Sequence, residues 1–420
     1  MIHVVGLGVS HLAELSSDAQ QALAQVDLVI GSERQLATIK ELMPSDNATT
    51  ELPKLAELKK LVEGVLAEEK SVMILASGDP LFYGIGRWFS RYFSQSDLRF
   101  YPAVSSLQMA CHRLGLALQD LEVLSLHGRP VEKLKTRLRQ NQSLLILTDS
   151  KSYPQVLAQH CVESGFPQAQ LTVLETLGYP DEQIRRFSAS ELLEADHEFD
   201  PLHLTLIEPG SNQGYLPEFP GIPDQHFITD TDKPGKGMIS KREVRLTILS
   251  LMQLSRDDQV WDIGAGCGGV AVELAYWQPL ATVNAIEHHP DRLSCLEANR
   301  QRFGVVSNLN IVEGRAPEAL EGLALPNKVF IGGSDGELPQ LLAEIWALLP
   351  KDGVLVASAV TENTKQLLMQ FWQERSLAED SQLETTQVAV SRGETLAGQL
   401  MYRPNLPVNL FKFVKTGDVV

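Results

Sequence analysis

A glycine-rich turn follows an apolar strand in the second half of the chain. The strand Val260–Ile263 leads into Gly264–Gly269, and helical residues follow. Glycine accepts positive φ and has no Cβ to obstruct a ligand, and a helix start offers unpaired N–H groups to an anion. The next strand ends in Glu287, which we expect near solvent, where its carboxylate can accept hydrogen bonds from both hydroxyls of a ribose. The pattern predicts a site for a nucleotide-like ligand.

The turn alone does not decide which cofactor binds. Gly264, Gly266 and Gly269 also satisfy the GxGxxG dinucleotide fingerprint, so a nicotinamide cofactor stays open. Asp262, two residues before Gly264, favours S-adenosylmethionine, because that ligand carries an ammonium and a sulfonium and no pyrophosphate. A turn that serves only packing is the remaining interpretation.

Four motifs in the first half place Gly, Pro or small polar residues directly after apolar strands. They are Val4–Gly8, Ser77–Gly84, Pro102–Ser106 and Leu126–Arg129. Open α/β sheets bind ligands at the carboxyl ends of their strands. Each motif alone is compatible with an ordinary turn, but together they predict a second ligand site.

The chain has 420 residues, of which 44% are hydrophobic and 21% charged, the composition of a folded protein. This length predicts two domains. Apolar runs alternate with helical patterns, which predicts α/β folds with largely parallel sheets. Residues Pro209–Pro223 are rich in Pro and Gly without periodicity, as in a linker. We predict domains over residues 1–208 and 226–420, joined by a linker over 209–225.

The apolar patterns also place individual elements. In the first domain we predict strands at Ile2–Gly6, Val72–Ala76, Leu144–Thr148, Leu171–Glu175 and Leu202–Ile207, and a helix over Lys54–Glu69. In the second we predict helices at Lys241–Leu254, Val270–Trp277 and Asp291–Phe303, with strands at Val260–Ile263, Thr282–Glu287 and Asn310–Val312. The runs Gln387–Val390, Gln399–Tyr402 and Asn409–Val414 predict antiparallel strands that close the sheet.

Charge and cysteine usage exclude some partners. The net charge of −17 disfavours nucleic acid and anionic membranes as partners, because phosphate binding usually draws on clustered Lys and Arg. No apolar run reaches the roughly 20 residues of a membrane span, and the start of the chain has no signal-peptide pattern. Four scattered cysteines without CxxC spacing predict neither disulfides nor a metal site and favour the cytoplasm.

Residues 226–420 carry a family resemblance. The segments KPGKGMISKREVR, WDIGAGCGG, EGRAPEAL and VFIGGSDG resemble the decarboxylating corrin-ring methyltransferases that act at carbon 15. The resemblance implies a Rossmann-like class I methyltransferase fold, with Glu287 at the ribose and Ala316 at the adenine edge. Further implied cofactor contacts are Ser240, Gly264, Ala265, Gly266, Cys267 and Gly268. Arg315 departs from the family, which commonly has an acidic residue after Gly314.

Residues 1–208, with the four motifs above, resemble the tetrapyrrole methylase family, especially the member that methylates carbon 5 of the same ring. The resemblance implies a two-lobed fold with the cofactor folded in a cleft between the lobes. Implied cofactor contacts are Gly8, Gly78, Asp79, Pro80 and Ser106. His127 is a candidate for orienting substrate or moving a proton, although a loop histidine bonded to backbone is the alternative.

The fusion of both domains resembles bifunctional methyltransferases of cobalamin synthesis. It implies one S-adenosylmethionine site per domain, two methylations of a precorrin-6-type tetrapyrrole, and loss of a ring acetate as carbon dioxide, giving precorrin-8. Candidate clamps for the anionic substrate are Lys236, Lys241, Arg242 and Arg245. His288 and His289 indicate a loop rather than a metal pair, and we expect a homo-oligomer. The alternatives are an RNA methyltransferase, an NAD(P)-dependent tetrapyrrole reductase and a cofactor sensor.

Overall fold

The computed structural model describes residues 1–194 and 196–417. The chain divides into two compact units, the first comprising Met1–Val131 and Leu138–Gln213, the second Glu132–Arg137 and Gly214–Val420. The main division therefore falls within the predicted linker. Both units are α/β, which confirms the predicted class. Within the described residues, no helix combines the length and apolar character that a membrane span requires.

The first unit begins with alternating strands and helices. They are β1 (Ile2–Gly6), α1 (Ser17–Leu23), β2 (Leu28–Gly31), α2 (Glu33–Ile39), β3 (Ala48–Glu51), α3 (Leu55–Ala67), β4 (Val72–Ala76), α4 (Gly86–Tyr92) and β5 (Leu98–Tyr101). The strands form a parallel sheet in the order β3-β2-β4-β1-β5. Val4 and Val5 belong to different apolar clusters, because neighbouring strand residues point to opposite faces. Both faces of this sheet are therefore buried.

A second sheet completes the first unit. Its elements are α5 (Ser106–Leu114), β6 (Glu122–Ser125), β7 (Leu144–Leu147), α6 (Pro154–Glu163), β8 (Gln170–Glu175), β9 (Gln183–Ser188), α7 (Ala189–Glu194) and β10 (His203–Glu208). The strand order is β6-β7-β10-β8-β9, with only β6 and β7 parallel. A capping box between Ser105 and Gln108 starts α5 directly after the Pro102–Ser106 motif. Two sheets in one unit fit a two-lobed fold.

The second unit contains one large sheet and a separate hairpin. Its elements are α8 (Arg242–Met252), β11 (Gln259–Ile263), α9 (Gly269–Trp277), β12 (Thr282–Glu287), α10 (Pro290–Arg302), β13 (Leu309–Glu313), β14 (Lys328–Ile331), α11 (Leu338–Leu348), β15 (Val354–Ala359), α12 (Glu362–Leu377), β16 (Ser381–Val388), β17 (Ser391–Leu396), β18 (Gln399–Pro404) and β19 (Val408–Lys415). The large sheet has the order β13-β12-β11-β14-β15-β19-β16, in which β19 is antiparallel to both neighbours. This is the Rossmann-like arrangement that the resemblance implied.

Short 3₁₀ turns connect several elements. They lie at Lys40–Leu42, Gln95–Asp97, Leu118–Asp120, Val131–Thr136, Asp224–His226 and Glu318–Leu320.

The prediction for the C-terminal strands is correct only in part. β19 closes the sheet as expected, but β18, which contains the predicted Gln399–Tyr402, pairs only with β17 in a two-stranded hairpin. The predicted strand Gln387–Val390 overlaps only the end of β16. The sheet excludes β18 because β16 already occupies the free edge of β19 through eight residue pairs.

The end of the predicted linker is part of the second unit. The backbone N–H groups of Gly221 and Ile222 donate to the carboxylate of Glu273 at 2.8 and 3.1 Å. Ile222 itself is fully buried. The Pro and Gly content of this segment therefore marks an ordered connection rather than a free tether.

Candidate cofactor and substrate sites

The first unit has a cleft of about 1060 Å³ at the carboxyl ends of its strands. Four of the predicted site residues line it, namely Gly8, Gly78, Ser106 and His127. They follow different strands or begin α5, so the parallel sheet brings together motifs that are far apart in the sequence.

Gly8 and Gly78 meet across the floor of this cleft. The N–H of Gly78 donates to the carbonyl of Gly8 at 3.1 Å, and the two residues form an isolated β-bridge. Both have positive φ, +74° and +67°. A Cβ at Gly8 would point into open space, with no atom within 4 Å. The strand ends therefore present bare backbone, against which a flat ligand can lie.

Asp79 and Pro80 shape the neighbouring loop and do not line the cleft. Asp79 Oδ1 accepts hydrogen bonds from the N–H groups of Leu81 and Phe82 at 2.8 and 3.0 Å. Pro80 is buried, and its carbonyl accepts from the N–H of Gly86 at 2.8 Å. Both residues therefore stabilise the loop, and their contacts with a cofactor stay a prediction.

His127 is exposed in the same cleft, with Nδ1 3.5 Å from the carbonyl oxygen of Thr148. The turn beneath it is fixed by Asp149, which accepts from the N–H of Gly128 at 2.8 Å. Burial would raise the pKa of Asp149, but hydrogen bonds from Gly128, Lys151 and Ser152 outweigh it and hold that pKa at about 2. His127 therefore stands on a rigid turn, and its proposed catalytic role stays a prediction.

The cleft is rich in positive charge that the motifs did not reveal. Arg34, Arg87 and Arg129 line it, whereas Asp149 is the one carboxylate among the described lining residues. The three arginines come from α2, α4 and the turn after β6. Because they are far apart in the sequence, no local motif predicts that they share a cleft. Such a lining suits a ligand with several negative charges.

The second unit has a cleft of about 380 Å³ at the ends of β11, β12, β13 and β14. Gly264, Glu287 and Ala316 line it as predicted. The other predicted cofactor residues, Ser240, Ala265, Gly266, Cys267 and Gly268, do not. Cys267 is completely buried, and burial raises the pKa of its thiol to about 12.

The glycine turn keeps its own N–H groups occupied. Gly264 and Ala265 donate to Ile286, Gly266 to Glu287, Cys267 to Met238 and Gly268 to Ala265, all at 2.9–3.0 Å. The expectation that this turn offers free donors to an anion is therefore wrong for residues 264–268. A pyrophosphate would therefore find no free N–H donor in residues 264–268 before the start of α9.

Glu287 is buried, with 4% of its surface exposed, and the expectation that it lies near solvent is wrong. Its Oε2 accepts from Gly266, and Oε1 accepts from the N–H groups of His288 and His289 at 2.8 and 2.9 Å. These three backbone hydrogen bonds compensate for the burial of the carboxylate. Oε1 has both of its acceptor sites filled, whereas Oε2 has one donor and can still accept from a ribose hydroxyl in the cleft that Glu287 lines.

Asp262 lies beneath the turn and is also buried. Neither of its oxygens has a well-formed hydrogen bond among the described residues. Burial raises its pKa to about 7, the backbone N–H of Ala271 opposes this only in part, and the charge of Glu287 adds to the rise. A buried carboxyl group without a cationic partner suits a cationic ligand bound nearby.

Arg245 does not reach a substrate. Its guanidinium is fully buried and pairs with Asp224 Oδ1 at 2.7 Å and Glu273 Oε1 at 2.9 Å. It also donates to the carbonyls of Ser240 and Ile222. Arg245 is therefore part of an internal ion network and not a substrate clamp. The sequence pattern did not predict this, because Asp224 lies in the segment that was predicted to be a linker.

The other three candidate clamps remain at the surface or close to it. Lys236 is exposed. Lys241 Nζ donates to the carbonyl of Gly235 at 2.8 Å, and partial burial lowers its pKa. Arg242 pairs with Glu243 at 3.2 Å with 47% of its side chain exposed. Substrate contacts by these residues stay a prediction.

Arg315, the residue that departs from the family pattern, belongs to a cluster on the wall of the second cleft. One guanidinium nitrogen lies 3.1 Å from His288 Nε2, and another lies 3.6 Å from Asp335 Oδ2. The sequence analysis did not identify His288 and Asp335 as site residues. They follow different strands and are far apart in the sequence, so only the folded sheet brings them together. The guanidinium of Arg315 and the imidazole of His288 therefore lie beside Ala316, the residue that the resemblance implies at the adenine edge.

Two family models match different parts of the chain. Residues 1–193 match the model of tetrapyrrole (corrin/porphyrin) methylases, and residues 234–415 match that of the precorrin methyltransferase domain. A solved structure of precorrin-6Y C5,15-methyltransferase from Geobacter metallireducens is 32% identical, covers 46% of this chain and 95% of its own, and has a TM-score of 0.41.

Two relatives match almost end to end. The precorrin-6Y C(5,15)-methyltransferase [decarboxylating] of Sinorhizobium sp is 33% identical over 98% of this chain and 96% of its own length. The protein of the same name from Mycobacterium tuberculosis (strain CDC 1551 / Oshkosh) is 31% identical over 99% of this chain and all of its own length. At this identity and coverage, the chain belongs to the precorrin-6Y C(5,15)-methyltransferase (decarboxylating) family.

Proposed function

We propose that this chain methylates carbons 5 and 15 of a precorrin-6-type tetrapyrrole and removes one ring acetate as carbon dioxide, giving precorrin-8. The observation that carries the proposal is the end-to-end similarity to decarboxylating C(5,15)-methyltransferases. We assign carbon 5 to the domain over residues 1–208 and carbon 15 with the decarboxylation to that over 226–420, joined by residues 209–225. Each domain contains a cleft at its strand ends.

Each cleft suits S-adenosylmethionine, which supplies an electrophilic methyl group on a sulfonium when bound. In the first, Gly8 leaves open space where any other residue would place a Cβ. Asp262 does not line the second cleft, but it is a buried carboxyl without a cation just before the glycine turn, and the N–H groups of residues 264–268 in that turn are already paired. These features favour a cation and disfavour the nicotinamide alternative. We therefore propose one cofactor site per domain.

The residues act mainly by positioning. A meso carbon of a partly reduced tetrapyrrole is nucleophilic like an enamine. It would attack the methyl group of a bound S-adenosylmethionine in line, with S-adenosylhomocysteine as the leaving group, and would need no strong base. Holding both partners in that geometry can contribute several kcal/mol, roughly 7–11 in well-oriented cases. In the first domain, we propose that the arginine-lined cleft orients the ring and that His127, which lines the same cleft, takes the proton that the methylated carbon loses.

Loss of carbon dioxide needs an electron sink, which the substrate provides. The electron pair of the breaking C–C bond enters a protonated conjugated imine of the macrocycle, and the remaining carbon then takes up a proton. The protein leaves the departing carboxylate poorly solvated and binds the other carboxylates through Lys and Arg. Lys236, Lys241 and Arg242 are our candidates in the second domain.

We also propose that the chain forms a homo-oligomer through the hairpin β17–β18. Arg392 on one face of the hairpin pairs with Asp224 and Glu243 at 3.3 and 2.9 Å. Side chains alternate along strands, so Leu400 and Tyr402 lie on the opposite face, 65% and 69% exposed. A two-stranded ribbon with its apolar face in water is marginal alone, and a second copy can cover it.

Light scattering tests the oligomer. The double variant Leu400→Ser, Tyr402→Ser should lower the molar mass to that of one chain. The matched control is Leu377→Ser on α12, because Leu377 is 88% exposed but lies outside the hairpin. A monomeric wild-type chain contradicts the proposal.

Mass spectrometry of the product tests the function. The purified chain, a precorrin-6-type substrate and methyl-labelled S-adenosylmethionine should give a product with two labelled methyl groups and one carboxyl group fewer. A reduced product formed with a nicotinamide cofactor, or label transferred to RNA, would replace this proposal with an alternative. The cytoplasmic location and the absence of a nucleic-acid partner stay predictions.

A further inference from the structure

Three consecutive apolar side chains are exposed inside the first cleft. Leu81, Phe82 and Tyr83 line it with 53%, 37% and 51% of their surfaces exposed. The rings of Phe82 and Tyr83 meet edge to face with centroids 5.2 Å apart. Scattered exposed apolar residues are common, but a contiguous group within a concave site indicates a surface that an apolar ligand covers.

The loop holds these side chains in position. Asp79 Oδ1 binds the N–H groups of Leu81 and Phe82, and Tyr83 adopts a φ of +58° that residues other than glycine rarely adopt. A Cβ at Gly84 or Gly86 would come within 2.5 Å of the carbonyl oxygen of Pro80. The backbone is therefore tightly folded, and it keeps the three side chains out of the core at a cost in local strain.

Three guanidinium groups line the same cleft without a carboxylate partner. Arg87, one residue into α4, has no hydrogen bond or ion pair in residues 1–194 and 196–417. Arg34 lies 3.4 Å from Ser77 Oγ, and Arg129 donates to the carbonyl of Ser125 at 3.3 Å. Neither of these two is neutralised by a described acidic side chain. Their charge is available to anions in the cleft.

We propose that Leu81–Tyr83 and the three arginines form the seat of the tetrapyrrole in the first domain. The apolar loop covers one face of the macrocycle, while Arg34, Arg87 and Arg129 bind peripheral carboxylates. A precorrin combines these chemistries, because it is a broad apolar macrocycle edged with acetates and propionates. The cofactor then occupies the part of the cleft formed by Gly8, Gly78 and Ser106. This assignment rests on the proposed function.

The experiment uses the full chain and measures methylation at carbons 5 and 15 separately, by NMR of the labelled product. Arg87→Gln should raise the KM for carbon 5 roughly two- to fivefold, the effect of losing one charged contact at an exposed position. Methylation at carbon 15 should not change. The matched control is Arg91→Gln on the same helix, because Arg91 is exposed but does not line the cleft.

A second pair of variants tests the apolar surface. Phe82→Ala should raise the same KM by a similar factor, while Leu55→Ala, at a leucine 47% exposed outside the cleft, should not. Calorimetric titration with S-adenosylmethionine verifies that each variant retains a folded first domain. For a direct measurement, the stable octacarboxylate uroporphyrin III should bind the wild-type chain more tightly than Arg87→Gln or Arg129→Gln.

The outcomes separate the two proposals. If the wild-type chain places no methyl group on carbon 5, the proposed function fails. If it does so while Arg87→Gln and Phe82→Ala keep the wild-type KM and cofactor affinity, the seat is elsewhere and this inference is overturned. A selective rise in the carbon 5 KM in both variants supports it.

Discussion

The backbone N–H of Gly266 donates to the carboxylate of Glu287 at 2.9 Å. This bond joins the glycine turn after β11 to the end of β12, so the residue expected to hold the ribose also holds the turn. Glu287 consequently stabilises the turn and is the predicted ribose acceptor, so its replacement should affect stability as well as cofactor binding.

Glu287→Gln should weaken both properties. An amide can accept through its oxygen but not through its nitrogen, so one side of the group loses its acceptor. Hydrogen bonds to charged groups contribute roughly 1.5–3 kcal/mol, and we expect a loss of that size in the unfolding free energy of the second unit. Cofactor affinity at the second site should fall about tenfold or more. Denaturant unfolding and calorimetry provide the two measurements.

Glu313→Gln is the matched control. Glu313 ends β13 directly opposite Glu287 in the sheet register, but it is exposed. We expect it to leave both quantities unchanged. Equal effects of the two substitutions would show that the general charge of this sheet edge matters rather than the bond to Gly266.

Gly266→Val should abolish methylation at carbon 15 and leave carbon 5 unaffected. Gly266 has a φ of +59°, and a Cβ there would lie 2.5 Å from the carbonyl oxygen of Met238. A β-branched residue therefore meets both strain and a clash with backbone. Product analysis by mass spectrometry measures both methylations. Gly322→Val is the control, because φ is +78° there but no atom lies within 4 Å of the added Cβ.

The sequence predicts the strands and turns well where one local pattern suffices. Val72–Ala76 is apolar throughout and precedes a Gly-Asp-Pro loop, so the strand could be predicted. Of that loop, Gly78 lines the cleft, whereas Asp79 and Pro80 do not. The burial of Glu287 depends on three N–H groups that point at it, and no spacing shows that. Arg245 appeared to be a surface clamp because Asp224 is 21 positions away in a segment without periodicity. Such relationships arise only from tertiary contacts.

Arg245→Met should destabilise the second unit by about 3–5 kcal/mol, because it leaves the buried carboxylates of Asp224 and Glu273 without their cation. Thermal and denaturant unfolding of the full chain measure the loss. Arg242→Met is the control, since that side chain is 47% exposed and should cost little. A normal unfolding free energy with a raised substrate KM would restore Arg245 as a clamp.

Asp262 should make the stability of the second unit and its cofactor affinity respond to pH in opposite directions. Burial raises its pKa from 3.8 to about 7, so the folded protein holds a proton there that the unfolded chain releases. The stability of the second unit should therefore fall as pH rises from about 4 to about 7. A bound sulfonium favours the ionised form, so cofactor affinity at the second site should rise over the same interval and level off above about pH 7. Asp262→Asn should remove both slopes and keep affinity low.

Unfolding and calorimetric titrations across pH 5 to 8 measure the two slopes together. Asp257→Asn is the control, because Asp257 is exposed and has a φ of +65° that asparagine also tolerates. The decisive result is that stability falls while cofactor affinity rises over the same pH interval. A residue that only supports packing would change stability with pH and leave cofactor affinity flat, whereas a general charge effect would appear in the Asp257 variant as well. Affinity that is independent of pH in the wild-type chain would show that Asp262 does not face the cation.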